Sequence, residues 1–145
     1  MDENEPVDER EFIYRRIAPL YYDAGLTISV QREAFRPTAN DSTGLSVLRA
    51  RFAEPEDSLG NLDPQKAKEY YVARLAVREL RNLGLTVVPD PMPSGPPGHA
   101  VISEITYASY QGRKQHWQSI CVKLAKLAST DIVHRPKSEG NCKPH

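Results

Sequence analysis

The stretch Asp63-Pro-Gln-Lys-Ala-Lys-Glu-Tyr-Tyr-Val-Ala-Arg-Leu-Ala-Val-Arg-Glu-Leu-Arg-Asn-Leu-Gly84 decides how this chain is read, because its apolar residues fit two periods. Asp63 followed by Pro64 is a helix start, an N-cap side chain before a residue whose φ is already helical. Ala67, Tyr71 and Leu75, with Val72, Ala76, Leu80 and Leu83, recur at three- and four-residue spacing, and Gly84 stands where a left-handed C-terminal residue is wanted. The first choice is one helix over 64–83. The alternative makes Tyr71–Ala76 a strand and leaves only Val77–Leu83 helical, since a short apolar run satisfies either period.

Strands flank this segment. Glu11-Phe-Ile-Tyr-Arg-Arg-Ile17 alternates, with Phe12, Tyr14 and Arg16 on one face and Ile13, Arg15 and Ile17 on the other, and Pro19 ends it. Leu20 to Phe35, with Tyr21, Tyr22 and Ile28, reads as short irregular or helical structure, and Arg36–Gly44 as a loop rich in turn formers. In Leu45–Phe52, Leu45, Val47, Arg49 and Arg51 alternate against Ser46, Leu48, Ala50 and Phe52, a second strand with a wet face at its far end. Leu85–Val88 and Ala100–Thr106 read as an antiparallel pair across a loop, Pro89–Gly98, that its prolines stiffen. Arg113–Ala128 is an amphipathic helix with Trp117, Ile120, Cys121, Leu124, Leu127 and Ala128 inward, and Asp131–Pro136 offers a short edge strand. The expected fold is α+β, a small, mostly antiparallel sheet with two main helices packed on one face. Residues 9–136 form its single domain, between a disordered acidic leader, 1–8, and a flexible tail, 137–145.

Composition limits function. Lys plus Arg equals Asp plus Glu at 19 each, which argues against a protein that coats polyanions. The zero is nevertheless a sum of opposites. Residues 1–11 hold six acids and one base, net −5, and residues 113–145 hold seven bases and two acids, net +5. The leader is thus a candidate mask for a basic helix. No apolar run reaches the length of a membrane span, and the acidic start lacks the basic, then apolar, pattern of a secretory signal, so a cytoplasmic location is expected. Cys121 and Cys142 are read as free thiols.

Residue patterns name several candidates. His99 follows a rigid Pro-Pro-Gly turn and opens a strand, a place for a general base or for a histidine that closes the proline loop onto a carbonyl. No second histidine stands at ligand spacing, so no metal site is expected, and the absence of a glycine-rich phosphate loop or a Gly-x-Ser-x-Gly elbow leaves no cofactor to expect. Arg113, Lys114, Lys123 and Lys126, with Tyr110 nearby, form a candidate nucleic-acid face.

Tyr14-Arg-Arg-Ile17, Phe35-Arg-Pro37 with Asp41, Gly44-Leu-Ser-Val47, Leu83-Gly-Leu-Thr-Val-Val-Pro-Asp-Pro91, Gly98-His-Ala-Val-Ile102 and Leu124-Ala-Lys-Leu-Ala128 together resemble a group of short bacterial proteins with the same order of segments. Some members accompany conflict or defence systems. The resemblance spans about residues 12–128 and implies a bacterial origin; the group has no assigned activity or site residues to carry over. The Tyr-Arg-Arg strand followed by Gly-Leu-Ser-Val also resembles enzymes that transfer ADP-ribose or phosphate groups. That likeness implies Arg15 or Arg16 on a phosphate, with Ser46, His99 and Glu104 completing the site. The leading expectation is a non-enzymatic interaction or accessory domain that meets a protein partner through the proline loop, with Pro93 and Pro96, or through the basic helix, with Arg36 as a further binding residue. A nucleic-acid-binding accessory protein and the transferase-like enzyme are the alternatives.

Overall fold

The computed structural model describes residues 2–136. The tail expected over 137–145, Cys142 included, lies outside them. Six strands, β1 (Phe12–Ile17), β2 (Leu45–Arg49), β3 (Tyr71–Ala76), β4 (Val87–Pro89), β5 (His99–Ile102) and β6 (Ile132–His134), form one sheet in the order β4-β5-β2-β1-β3-β6. Every neighbouring pair is antiparallel. The helices are α1 (Pro64–Ala67), α2 (Val77–Asn82), α3 (Tyr107–Gly112) and α4 (Lys114–Ser129), and short 3₁₀ turns cover Pro19–Tyr21, Arg32–Phe35 and Pro55–Leu59. The fold is α+β.

The single helix expected over 64–83 is not formed. Its start signal works, since Asp63 accepts from the Gln65 N–H at 2.8 Å with Pro64 behind it, but the helix ends at Ala67. Residues Tyr71–Ala76 then pair with the whole of β1, from Phe12↔Ala76 to Ile17↔Tyr71. The reason is burial on both faces. Tyr71, Ala73 and Leu75 enter the main core and Val72 enters a second, smaller one, so the segment lacks the polar alternation that marks a half-buried strand. With that helix dissolved, α4 is the one long helix among the described residues.

The main core gathers Ile13 and Ile17 of β1, Phe35 of the second 3₁₀ turn, Leu45, Val77, Leu80, Ile102 and Ile105 with Leu124, Ala125 and Ala128 of α4. Tyr14, Leu48, Leu59 and Val72 form the smaller cluster on the opposite face. The expected strand over 100–106 stops at Ile102, and Thr106 caps a helix the sequence reading missed, accepting from the Ser109 N–H at 3.0 Å. Pro89 is tolerated in β4 because that strand is an edge.

Gly44 sets where β2 begins. Its φ is +145°, and a Cβ there would stand 2.6 Å from the Ile102 carbonyl oxygen of β5. Gly44→Ala is therefore expected to lower stability by about 2 kcal/mol or more, read as a reduced urea midpoint.

Two expectations fail together at the other end of β2. Arg49, assigned to a wet face, is wholly buried. Its Nε and one terminal nitrogen donate to the two Glu11 carboxylate oxygens at 2.9 and 2.8 Å, and the other terminal nitrogen donates to the carbonyls of Glu3 and Glu5 at 3.0 and 2.8 Å. The leader, expected to be disordered, is thereby tied down. Val7 is buried in the main core with its carbonyl accepting from Arg81 at 2.7 Å, and Glu3 accepts from the Gly98 N–H at 2.7 Å. Glu11, Glu5 and Glu3 face Arg49, Arg51 and the base of the proline loop, and Asp8 holds Arg10, rather than the basic helix for which the acidic start was a candidate mask.

Candidate anion-binding cleft

β1 is paired to β3 along its whole length but to β2 only at Ile13↔Arg49 and Tyr14↔Leu48. Beyond Tyr14 the two strands part. Arg15 spans the separation. One terminal nitrogen donates to the Ser46 carbonyl of β2 at 2.9 Å, while Nε and the other terminal nitrogen both donate to the Ala34 carbonyl, at 3.2 and 3.0 Å. A guanidinium has five N–H groups, so one on each terminal nitrogen is left over. Close packing around this head, reinforced by the like charge of Arg16 and opposed by Asp41, pulls Arg15 down to about 10, which leaves it cationic at neutral pH.

A cleft of about 440 Å³ opens at this end of the sheet. Arg15, Arg16 and Ala18 come from β1 and its exit, Tyr21 from the first 3₁₀ turn, and Glu33, Ala34, Arg36, Pro37 and Thr38 from the second turn and its sequel. Tyr70 precedes β3, and Tyr107 and Gln111 belong to α3. Arg16 donates to Asn61 Oδ1 at 2.7 Å, and the Arg36 guanidinium lies 5.7 Å from the centre of the Tyr110 ring.

Five of the twelve arginines are ion-paired with described residues. Arg10, Arg32, Arg49, Arg51 and Arg74 each hold a carboxylate. Among the described residues, Arg15, Arg16 and Arg36 make no ion pair, although they share one cleft. Glu33, the one carboxylate in the lining, is engaged by Arg32 at 3.3 Å.

The other candidates are placed elsewhere. His99 pairs with Leu48 on β2, away from the cleft, and its Nδ1 lies 2.9 Å from the Asp90 carbonyl, closing the proline loop. Glu104 accepts from the Thr86 N–H at 2.7 Å, at the start of β4. Ser46 contributes its carbonyl to Arg15, not its hydroxyl. The transferase-like arrangement of Arg15 or Arg16, Ser46, His99 and Glu104 is therefore not assembled. Pro93 is exposed and Pro96 half-buried in the loop, and neither lines the cleft. Lys114 and Lys123 lie about half a turn apart around α4, so the four basic residues named there do not form one face. Arg113 and Lys114 instead border a second hollow, of about 450 Å³, with Gln111, Gln115 and His116.

Of the cleft residues, Arg15, Arg16 and Arg36 were legible as candidates. Tyr21, Tyr70, Tyr107 and Gln111 were not, because Tyr21 and Tyr70 come from segments far apart in the chain and the helix α3 that carries Tyr107 and Gln111 was not expected. Cys121 is a core residue. Burial pushes its thiol up to about 11, and it points at the Phe35 carbonyl, 3.5 Å away. No helix among the described residues is long and apolar enough to cross a membrane. Compared with protein-family models, curated proteins and solved structures, the chain has no match.

Proposed function

We propose that this chain is a binding domain that takes a phosphate-bearing ligand in the Arg15–Arg16–Arg36 cleft. One observation carries this: among the described residues, three guanidinium groups without carboxylate partners line a single cleft, while five of the other nine arginines are ion-paired. One guanidinium suffices for one carboxylate, since both are planar and two-pronged. Three favour a tetrahedral anion with more acceptors and more charge. The cleft volume suits a small-molecule site or the end of a larger ligand. This reading keeps the expectation of a non-enzymatic interaction domain and moves its recognition surface from the proline loop and basic helix to the end of the sheet. It also keeps the phosphate role given to Arg15 or Arg16, without the catalytic partners.

Titration calorimetry with inorganic pyrophosphate tests it. Arg36→Ala, which removes an exposed side chain, is expected to weaken binding about tenfold or more, and Arg16→Ala with Arg36→Ala further, at the strength of charge-assisted hydrogen bonds. Lys123→Glu, on the far side of α4, is expected to leave affinity unchanged. Wild-type affinity in the double arginine variant removes the cleft from the account.

A further inference from the structure

Resting on that reading, we infer that the physiological ligand is a single nucleic-acid strand, one phosphate seated among Arg15, Arg16 and Arg36 and the strand continuing over Gln111 to Arg113 and Lys114. The two hollows meet at one residue: Gln111 lines both the arginine cleft and the one bordered by Arg113, Lys114, Gln115 and His116. Arg113 and Lys114 are exposed, and among the described residues neither has a carboxylate partner. Cations in two adjoining hollows suit an anion that repeats along a chain better than one isolated phosphate. Together Arg15, Arg16, Arg36, Arg113 and Lys114 bring five cationic side chains to two adjoining hollows of a chain whose total charge is zero.

The aromatic groups select the strand state. Tyr70 and Tyr107 stand in the wall of the cleft beside the arginines, Tyr107 40% exposed. A ring so placed accepts the face of an unstacked base, and base–tyrosine stacking beside a cationic groove is how single strands are held without sequence preference. A duplex keeps its base faces inside and presents phosphates on a convex surface, so it offers these tyrosines nothing. Free phosphate fills only the first hollow.

Fluorescence anisotropy with labelled oligo-dT and oligo-rU of roughly two, four and eight nucleotides, beside duplex and inorganic pyrophosphate competitors, tests the inference. Affinity is expected to rise between the shortest and the middle length for one or both sugars. For about four phosphate contacts, the logarithm of affinity should fall against the logarithm of salt with a slope of about −3. Arg113→Glu with Lys114→Glu is expected to weaken the longer strands about tenfold or more while leaving pyrophosphate binding unchanged. Tyr107→Ala should weaken oligonucleotides about tenfold, by a clearly larger factor than it weakens pyrophosphate. Length-independent affinity, or longer strands indifferent to the Arg113 and Lys114 reversals, overturns the strand assignment while the arginine cleft stands. A duplex or a phosphotyrosyl peptide that binds more tightly than the single strand also overturns it. Pyrophosphate binding indifferent to Arg16→Ala with Arg36→Ala removes the underlying cleft instead.

Discussion

Arg49→Met is expected to destabilise the protein by about 3–5 kcal/mol, lowering the thermal midpoint by about 10 °C or more. The substitution keeps the apolar stem and removes the charge, so the cost comes from what is stranded. The Glu11 side chain is 9% exposed and would lose both of its guanidinium bonds, while the Glu3 and Glu5 carbonyls would lose their donor. Arg49→Lys is expected to recover only part of the loss, because an ammonium cannot reproduce the forked grip on a carboxylate. Since the same head fastens the leader, Arg49→Met should also expose residues 2–7 to proteolysis at temperatures where the sheet is still folded. The pH dependence has a definite sign. Burial alone would raise the Glu11 carboxyl, but the bonds from Arg49, and that from the Asp8 N–H at 2.9 Å, outweigh it and hold the group below its ordinary value. A carboxyl with a depressed folded pKa contributes stability above its unfolded value, about 4.5, and that contribution is lost as pH falls through the folded one. Chemical denaturation at falling pH should therefore show wild type losing more stability in this acid range than Arg49→Met. A Met variant within about 1 kcal/mol of wild type at neutral pH would show that the buried pair is replaceable by apolar packing.

This clamp also shows where sequence reading stops. Alternation in Leu45–Phe52 placed Arg49 on the face of Val47 and stated nothing about what lies above it, because its partners come from residues 3 to 11, far away along the chain. Local signals did well at several places where the cause was local, the Thr106 cap of α3 being an exception. The Asp63–Pro64 start, the φ of +81° at Gly84, the apolar stripe of α4 and the β4–β5 pairing were each written in neighbouring residues. Tyr71–Ala76 went to the runner-up reading because the decisive fact, pairing to β1 on one side and β6 on the other, is tertiary and overrides helix propensity. The candidate site follows the same rule. Arg15, Arg16 and Arg36 stood out as residues, but their grouping depends on β1 parting from β2 after Tyr14, which no single segment encodes. His99, singled out for its rigid setting, spends that setting on the Asp90 carbonyl.

Phe35→Ala is expected to cost about 3–5 kcal/mol and to weaken pyrophosphate binding as well, which few core substitutions would do. Phe35 is wholly buried in the main core, and its carbonyl receives the Cys121 thiol of α4. It is also flanked by cleft residues. Ala34 on one side supplies the carbonyl that accepts twice from Arg15, and Arg36 on the other is a cleft wall. The ring therefore fixes both where the 3₁₀ turn Arg32–Phe35 sits on α4 and how the arginines are spaced, so a cavity beneath the turn should loosen the anion site directly above it. Phe35→Leu, which fills most of the volume, is expected to lose about 1–2 kcal/mol and bind pyrophosphate within a few-fold of wild type. Leu124→Ala provides the contrast, a comparable cavity in α4 without a chain neighbour in the cleft, expected to lose similar stability with affinity little changed. Calorimetric titration at a temperature where circular dichroism shows all three variants folded separates the effects. Equal affinities for Phe35→Ala and Leu124→Ala would mean that the turn holds its shape without the ring, and that the arginine spacing is set by Arg15's hold on Ala34 and Ser46 alone.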